Sequence, residues 1–303
     1  QIACGLFAIG VFGAIYHPVG IPLVSQGYVK TGLRIAVNGV FGNLGVASAA
    51  LLTGYLVDQS GWRSAFIWPG LVTIVIGVGY AFLVARGHSK EPSADEGEAS
   101  PATAIAGNLQ LGRNLLIRIF AIVFFSTAVG SLVFQSTTFS LPKIFDERLG
   151  DLAISATLVG WYAFVVFAIA SMGQLVVGYL LDRFSIKAIF VGVAIFQVVF
   201  FLAMIGRVGS IALLIAIAFM LVVFGQIPIN DVLVGRVTKT EWRSRAYGLR
   251  YVIGFTVMAS AVPMVAWIYA RWSFDALFVV LAAAGAGILI AVMMLPRQLA
   301  SKN

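Results

Sequence analysis

Two short stretches place polar side chains beside proline inside apolar sequence. In FGAIYHPVG, residues 12–20, His17 precedes Pro18; in FGQIPIND, residues 224–231, Gln226 stands two before Pro228 and Asn230 follows it. An imidazole titrates near physiological pH. An ionisable group within a membrane marks a candidate site for a solute or a proton. The plainer reading of His17, a hydrogen bond to a neighbouring helix, stands beside it. Each proline removes a backbone hydrogen bond and kinks its helix. The carbonyl so freed is tolerated in lipid only where protein or water satisfies it. A third stretch, GYLLDRFSIK, residues 178–187, sets Asp182, Arg183 and Lys187 in a short charged turn after Gly178. The glycine lets helices approach closely. The carboxylate suits the positive amino end of a neighbouring helix. Arg183 and Lys187 suit acids or lipid phosphate.

The elements that must carry these residues are membrane helices. The chain has 303 residues, 60% hydrophobic and 11% charged, with a mean hydropathy of +0.99. Soluble domains are nearer half apolar and a quarter charged. The excess falls into blocks long enough to cross about 30 Å of hydrocarbon. Nine spans are predicted, at 2–25, 35–57, 64–85, 114–139, 153–181, 186–206, 211–233, 246–270 and 274–295. Barrel strands would alternate polar and apolar; these blocks are apolar all round, so they read as helices. The formal charge of +8 belongs to loops, not to a nucleic-acid partner. The lone Cys4 excludes an intrachain disulfide, and 2 histidines are too few for a typical multi-histidine metal site. No metal or cofactor is expected.

Residues 86–113 are polar and rich in Ala, Gly, Ser, Pro and acid, and read as a flexible tether. They divide the chain into 1–85, with three helices, and 114–303, with six. Placing 26–34 on the cytoplasmic side puts fifteen of the 20 Lys and Arg there. Only Arg63, Lys143, Arg148, Arg207 and Arg271 fall opposite. That bias sets the tether and the C-terminus inside, with a bacterial inner (plasma) membrane as the expected location.

The two parts repeat. GYVKTGLRIAVNGVFGNLG, 27–45, lies over GRVTKTEWRSRAYGLRYVIG, 235–254, with Lys30-Thr31 on Lys239-Thr240, Gly39 on Gly248 and Gly45 on Gly254. The offset is about 209–210 residues, and internal repeats mark transporter folds. His17 then lies over Gln226, and Pro18 near Pro228. If the unit is six helices, the second bundle is complete and the first shows its last three. The expectation is a fragment whose missing start lies roughly 95 residues before Gln1.

The Gly178–Lys187 turn resembles the Gly-x-x-x-Asp-Arg loop of the major facilitator superfamily, which recurs once per six-helix half. Ser185 and Ile186 depart from the Gly and Arg often found there. The resemblance covers the whole chain as family helices four to twelve. In GAIYHPVG and FGNLGVASAALL it is most similar to the fosmidomycin-resistance branch, although Ala49-Ala50 stand where drug–proton antiporters carry Gly-Pro.

The resemblance implies an all-α polytopic fold of two pseudo-symmetric bundles, the N-terminal one cut to three helices. It implies a central cavity reached by His17 and Gln226. Asn43 (with Asn38), Gln135, Trp161, Tyr162 and Asn230 are further cavity candidates. Gly178, Asp182, Arg183 and Lys187 would form a cytoplasmic gate. Asp182 would face the helix beginning near Arg34 and Ile35. Arg250 has two readings, attraction of an anionic solute and snorkelling to the inner surface, of which snorkelling is preferred. The function implied is secondary active transport of a small solute, coupled to protons or another ion, by a chain monomeric when full length. Two alternatives stay open: a transport-dead sensor or scaffold of the same fold, and a membrane-embedded enzyme. The latter would need clustered His, Asp or Glu within spans. No Gly-rich nucleotide loop is present to drive transport with ATP.

Overall fold

The computed structural model describes residues 2–25, 32–86, 113–152, 156–238 and 240–296. Regular structure among them is helical. Ten α-helices follow in order: α1 (Ile2–Gly13), α2 (Tyr16–Ser25), α3 (Gly32–Ser60), α4 (Ser64–Ala85), α5 (Arg113–Arg148), α6 (Ala156–Leu181), α7 (Ile186–Met204), α8 (Gly209–Val237), α9 (Arg243–Arg271) and α10 (Phe274–Met293). The tether, apart from its ends, and residues 297–303 lie outside the described residues.

Among the described residues, seven helices are long and apolar enough to cross a membrane: α4 to α10. The first expected span is two helices. Ala14 N–H still reaches Gly10 O at 2.9 Å, but Ile15 N–H turns back only to Phe12 O at 3.3 Å. Pro18 explains the position of the break. It has no N–H to return to the carbonyl of Ala14, four residues before. Proline does not break the other helices that contain it. α5, expected to end near 139, runs through Pro142 to Arg148.

Close approach is built from glycine. A Cβ on Gly173 of α6 would lie 2.9 Å from Leu221 O of α8, and one on Gly225 would lie 2.9 Å from Val177 Cγ2. A Cβ on Gly254 of α9 would lie 2.9 Å from Ser131 Oγ of α5. Two apolar clusters fill α5 to α10. One gathers Phe201, Phe219, Phe224 and Phe278; the other gathers Ile119, Phe190, Leu233 and Tyr247. α3 joins this body along α6 and α8, and α2 along α9. The corner from α3 to α4 is held by Ser64 Oγ, which lies 2.7 Å from both Leu56 O and Gly61 O. Beyond Ser64, α4 carries no buried side chain.

Candidate functional site

α2 and α3 face α5, α8 and α9 across a cavity of about 380 Å³. Polar atoms reach it from each of these helices. Tyr16 on α2 donates its hydroxyl to Asn38 Oδ1 on α3 at 2.7 Å. Asn43 lines the same wall. From α8 come Gln226, Asn230 and Asp231; from α5, Thr127 and Ser131; from α9, Arg250 and Tyr251.

The electrostatic centre is an ion pair. Arg250 donates from Nη1 to Asp231 Oδ1, and the two residues are 6% and 2% exposed. Neither charge could stand alone at such depth; each is tolerated because the other neutralises it. The surroundings fix both. Arg250 Nε donates to Thr127 Oγ1 at 3.2 Å, and Tyr251 donates its hydroxyl to Asp231 Oδ1 at 3.3 Å. Tyr247, fully buried, donates to the backbone carbonyl of Asp231 at 2.6 Å. α8 and α9 are thus joined by charge, hydroxyl and backbone at one level.

Carboxamides complete the polar groups, and side chains such as Val46, Phe134, Val223, Phe255 and Met258 make most of the wall apolar. Asn230 Oδ1 accepts from Ser126 Oγ at 3.2 Å. Gln226 Oε1 accepts from Gln197 Nε2 of α7 at 2.6 Å. Gln226 Nε2 has no hydrogen-bond partner among the described residues and lies where a Cβ on Gly130 would be 2.7 Å away. Among the described residues no three His, Cys, Asp or Glu gather as metal ligands would.

The sequence candidates therefore divide. Asn43, Gln226 and Asn230 share one cavity. Gln135, Trp161 and Tyr162 are not on its wall. Trp161 is 49% exposed and stacks edge-on with Phe164. Tyr162 packs against the apolar cluster around Phe219. His17 falls within α2, but its side chain lies outside the described residues. Arg250 departs from expectation: it does not snorkel, because Asp231 one helix away holds it inside. Asp231, Gln174 and Gln197 were missed. Asp231 had a signal, an acid inside the apolar block 211–233, near its C-terminal end. The two glutamines had the same one, a carboxamide within a span, in weaker form.

The Gly178–Lys187 turn meets α3 end-on. Asp182 accepts from the first two backbone N–H groups of α3, Gly32 to Oδ1 at 2.8 Å and Leu33 to Oδ2 at 3.0 Å. These N–H groups have no partner within their own helix, and they carry its positive end. Gly178 makes the approach possible: a Cβ there would lie 2.5 Å from Ala36 Cβ and 2.7 Å from Gly32 O. The basic residues take other partners than acids. Arg183 lies over the Tyr179 ring at 4.4 Å. Lys187 donates to Met293 O at 2.7 Å and Leu295 O at 2.6 Å, capping the carbonyl end of α10.

A sequence model of the Major Facilitator Superfamily matches residues 1–151 and 132–302. The chain belongs to the major facilitator superfamily. It is a membrane transporter of that family, and family and fold indicate transport rather than catalysis. Two solved structures are similar. One is the major facilitator transporter FucP in its outward conformation. It is 14% identical, with a TM-score of 0.67, covering 92% of this chain and 72% of that one. The other is a variant of the fucose:proton symporter FucP of E. coli. It is 13% identical, with a TM-score of 0.68, covering 93% and 73%. No curated protein matches.

Proposed function

We propose that this chain belongs to a secondary active transporter that binds a small polar solute between α2–α3 and α5–α8–α9 and exposes it to each side in turn. The observation that carries the reading is the cavity beside the Asp231–Arg250 pair, apolar over most of its wall with a few placed polar groups. It is a pocket of ordinary ligand size, placed where two groups of helices meet. Asp231 is the candidate coupling group: protonating it would release Arg250, and a solute or ion could take the vacated place. Asp182 is the candidate gate. The residues up to 85 form one moving unit and those from 114 onward the other, joined by the tether. The Asp182 end, the tether and the C-terminus lie on the cytoplasmic side of a bacterial inner membrane, and the functional unit is a monomer.

The test is counterflow in proteoliposomes across a panel of neutral, acidic and basic solutes, at two values of pH. Fucose belongs in the first panel because similar folds include a fucose:proton symporter. Exchange of one class, abolished by Asp231→Asn, is the expected result. Solutes that raise the melting temperature without any exchange would replace transport by a sensor or scaffold role.

A further inference from the structure

The face that α3 presents to α6 has a regular antiparallel register. Asp182 meets Gly32, and Gly178 meets Gly32 and Ala36. Four residues further along α6, Gln174 meets Gly39, where a Cβ would lie 2.3 Å from Oε1. Four residues is about one helical turn. The first two contacts are satisfied, one by hydrogen bonds and one by small side chains. The third is not. Gln174 is fully buried, and neither its Oε1 nor its Nε2 has a hydrogen-bond partner among the described residues.

A buried amide with no partner destabilises whatever arrangement encloses it. Here the enclosing arrangement is the closed seam between α3 and α6. When the seam parts, water reaches the amide and the deficit disappears. We propose that Gln174, held against Gly39, is a built-in penalty on the closed seam that sets how readily the two groups of helices separate at the Asp182 end. It opposes Asp182, whose two hydrogen bonds favour closure. A seam stitched only by favourable contacts would remain shut; a fully buried amide keeps its two states close in free energy. This inference rests on the alternating-access reading above, but it needs no knowledge of the solute.

The experiment uses the full chain in lipid nanodiscs with no solute added. Cys4 is replaced by Ser, and spin labels are placed at Leu33→Cys and Phe184→Cys, both at exposed positions. Gln174→Met keeps the length of the side chain and removes the polar atoms. The closed-to-open ratio should rise at least about fivefold, the factor that corresponds to one unpaired polar group at the low end of its range. Gly39→Ala should act in the opposite sense, because its Cβ has no room beside Oε1, and Gly39→Ala with Gln174→Ala should return towards the parent ratio. A Gln174→Met ratio that is unchanged or lower would overturn the proposal. Asp182→Asn separates the two ideas. If it opens the seam while Gln174→Met does nothing, only the role of Gln174 fails. If no variant populates a second distance, the alternating-access reading fails with it.

Discussion

At the scale of single residues the molecule turns on Asp231 and Arg250. Each would be prohibitive alone in a membrane interior, and their pairing makes both tolerable. Removing one partner should therefore hurt more than removing both. Arg250→Met leaves a buried carboxylate uncompensated and should lower stability by about 3–5 kcal/mol. Adding Asp231→Asn to it should recover most of that loss. Thermal unfolding of the two single variants and the double variant in nanodiscs gives the coupling. Additive losses would show that the two charges are not each other's partners. The sequence exposed half of this site. An Asp inside an apolar block is visible by inspection, and so are Gln226 and Asn230 beside it. Its pairing with Arg250 was not visible. The two residues are 19 apart on consecutive helices, and whether they meet depends on how each helix is rotated. Trp161 misled for the converse reason. An aromatic in a span looks the same whether its face turns to the cavity or, as here, to the outside.

Elements were easier to read than their joints. Apolar length alone located the helices, because a backbone in lipid has no other way to satisfy its own hydrogen bonds. The joints depended on proline and glycine. Pro18 interrupts the first span, and Pro18→Ala would restore an N–H to meet the Ala14 carbonyl. Backbone amides around Ala14 and Ile15 should then exchange hydrogen more slowly, as read by mass spectrometry of a peptide spanning them. Unchanged exchange would place the cause of the break elsewhere. The seam between α3 and α6 depends on Gly178. Gly178→Ala puts a methyl 2.5 Å from Ala36 Cβ and should lower stability by about 1–3 kcal/mol, the usual effect of overpacking. Ala36→Gly should restore part of it. The sequence repeat led to matched glycines but not to matched uses. Gly254 approaches Ser131 closely and its repeat mate Gly45 has open space; Gly39 abuts Gln174 and its mate Gly248 has none nearby. Repetition preserves where a helix lies better than what it touches.

For the whole molecule, the contact between Asp182 and α3 lies at one end of the seam between the two parts of the chain. The expected partner, the helix beginning near Arg34 and Ile35, was legible because a carboxylate in a short turn seeks unpaired N–H groups, and a repeat says which helix supplies them. A carboxylate at a helix amino end stabilises by roughly 0.3–1 kcal/mol when exposed and up to about 2 kcal/mol when partly buried. Asp182→Asn should therefore lengthen the distance between spin labels at Leu33→Cys and Phe184→Cys in a measurable fraction of molecules. Thermal stability of α5 to α10 should change little. An identical distance distribution would leave Asp182 as an ordinary cap with no part in closure.

The Asp231–Arg250 pair also bears on how the protein responds to voltage. Moving one elementary charge through 100 mV involves about 2.3 kcal/mol. While Asp231 is ionised the pair is neutral, and carrying it through the field on α8 and α9 does no electrical work. Once Asp231 is neutralised, the same motion carries the charge of Arg250. Reorientation of the empty protein should then become voltage-sensitive in Asp231→Asn and remain insensitive, as far as this pair is concerned, in the parent. Transient currents on a solid-supported membrane, recorded without solute, should be larger in the variant. Equal currents would mean that the pair lies outside the part of the protein that moves through the field.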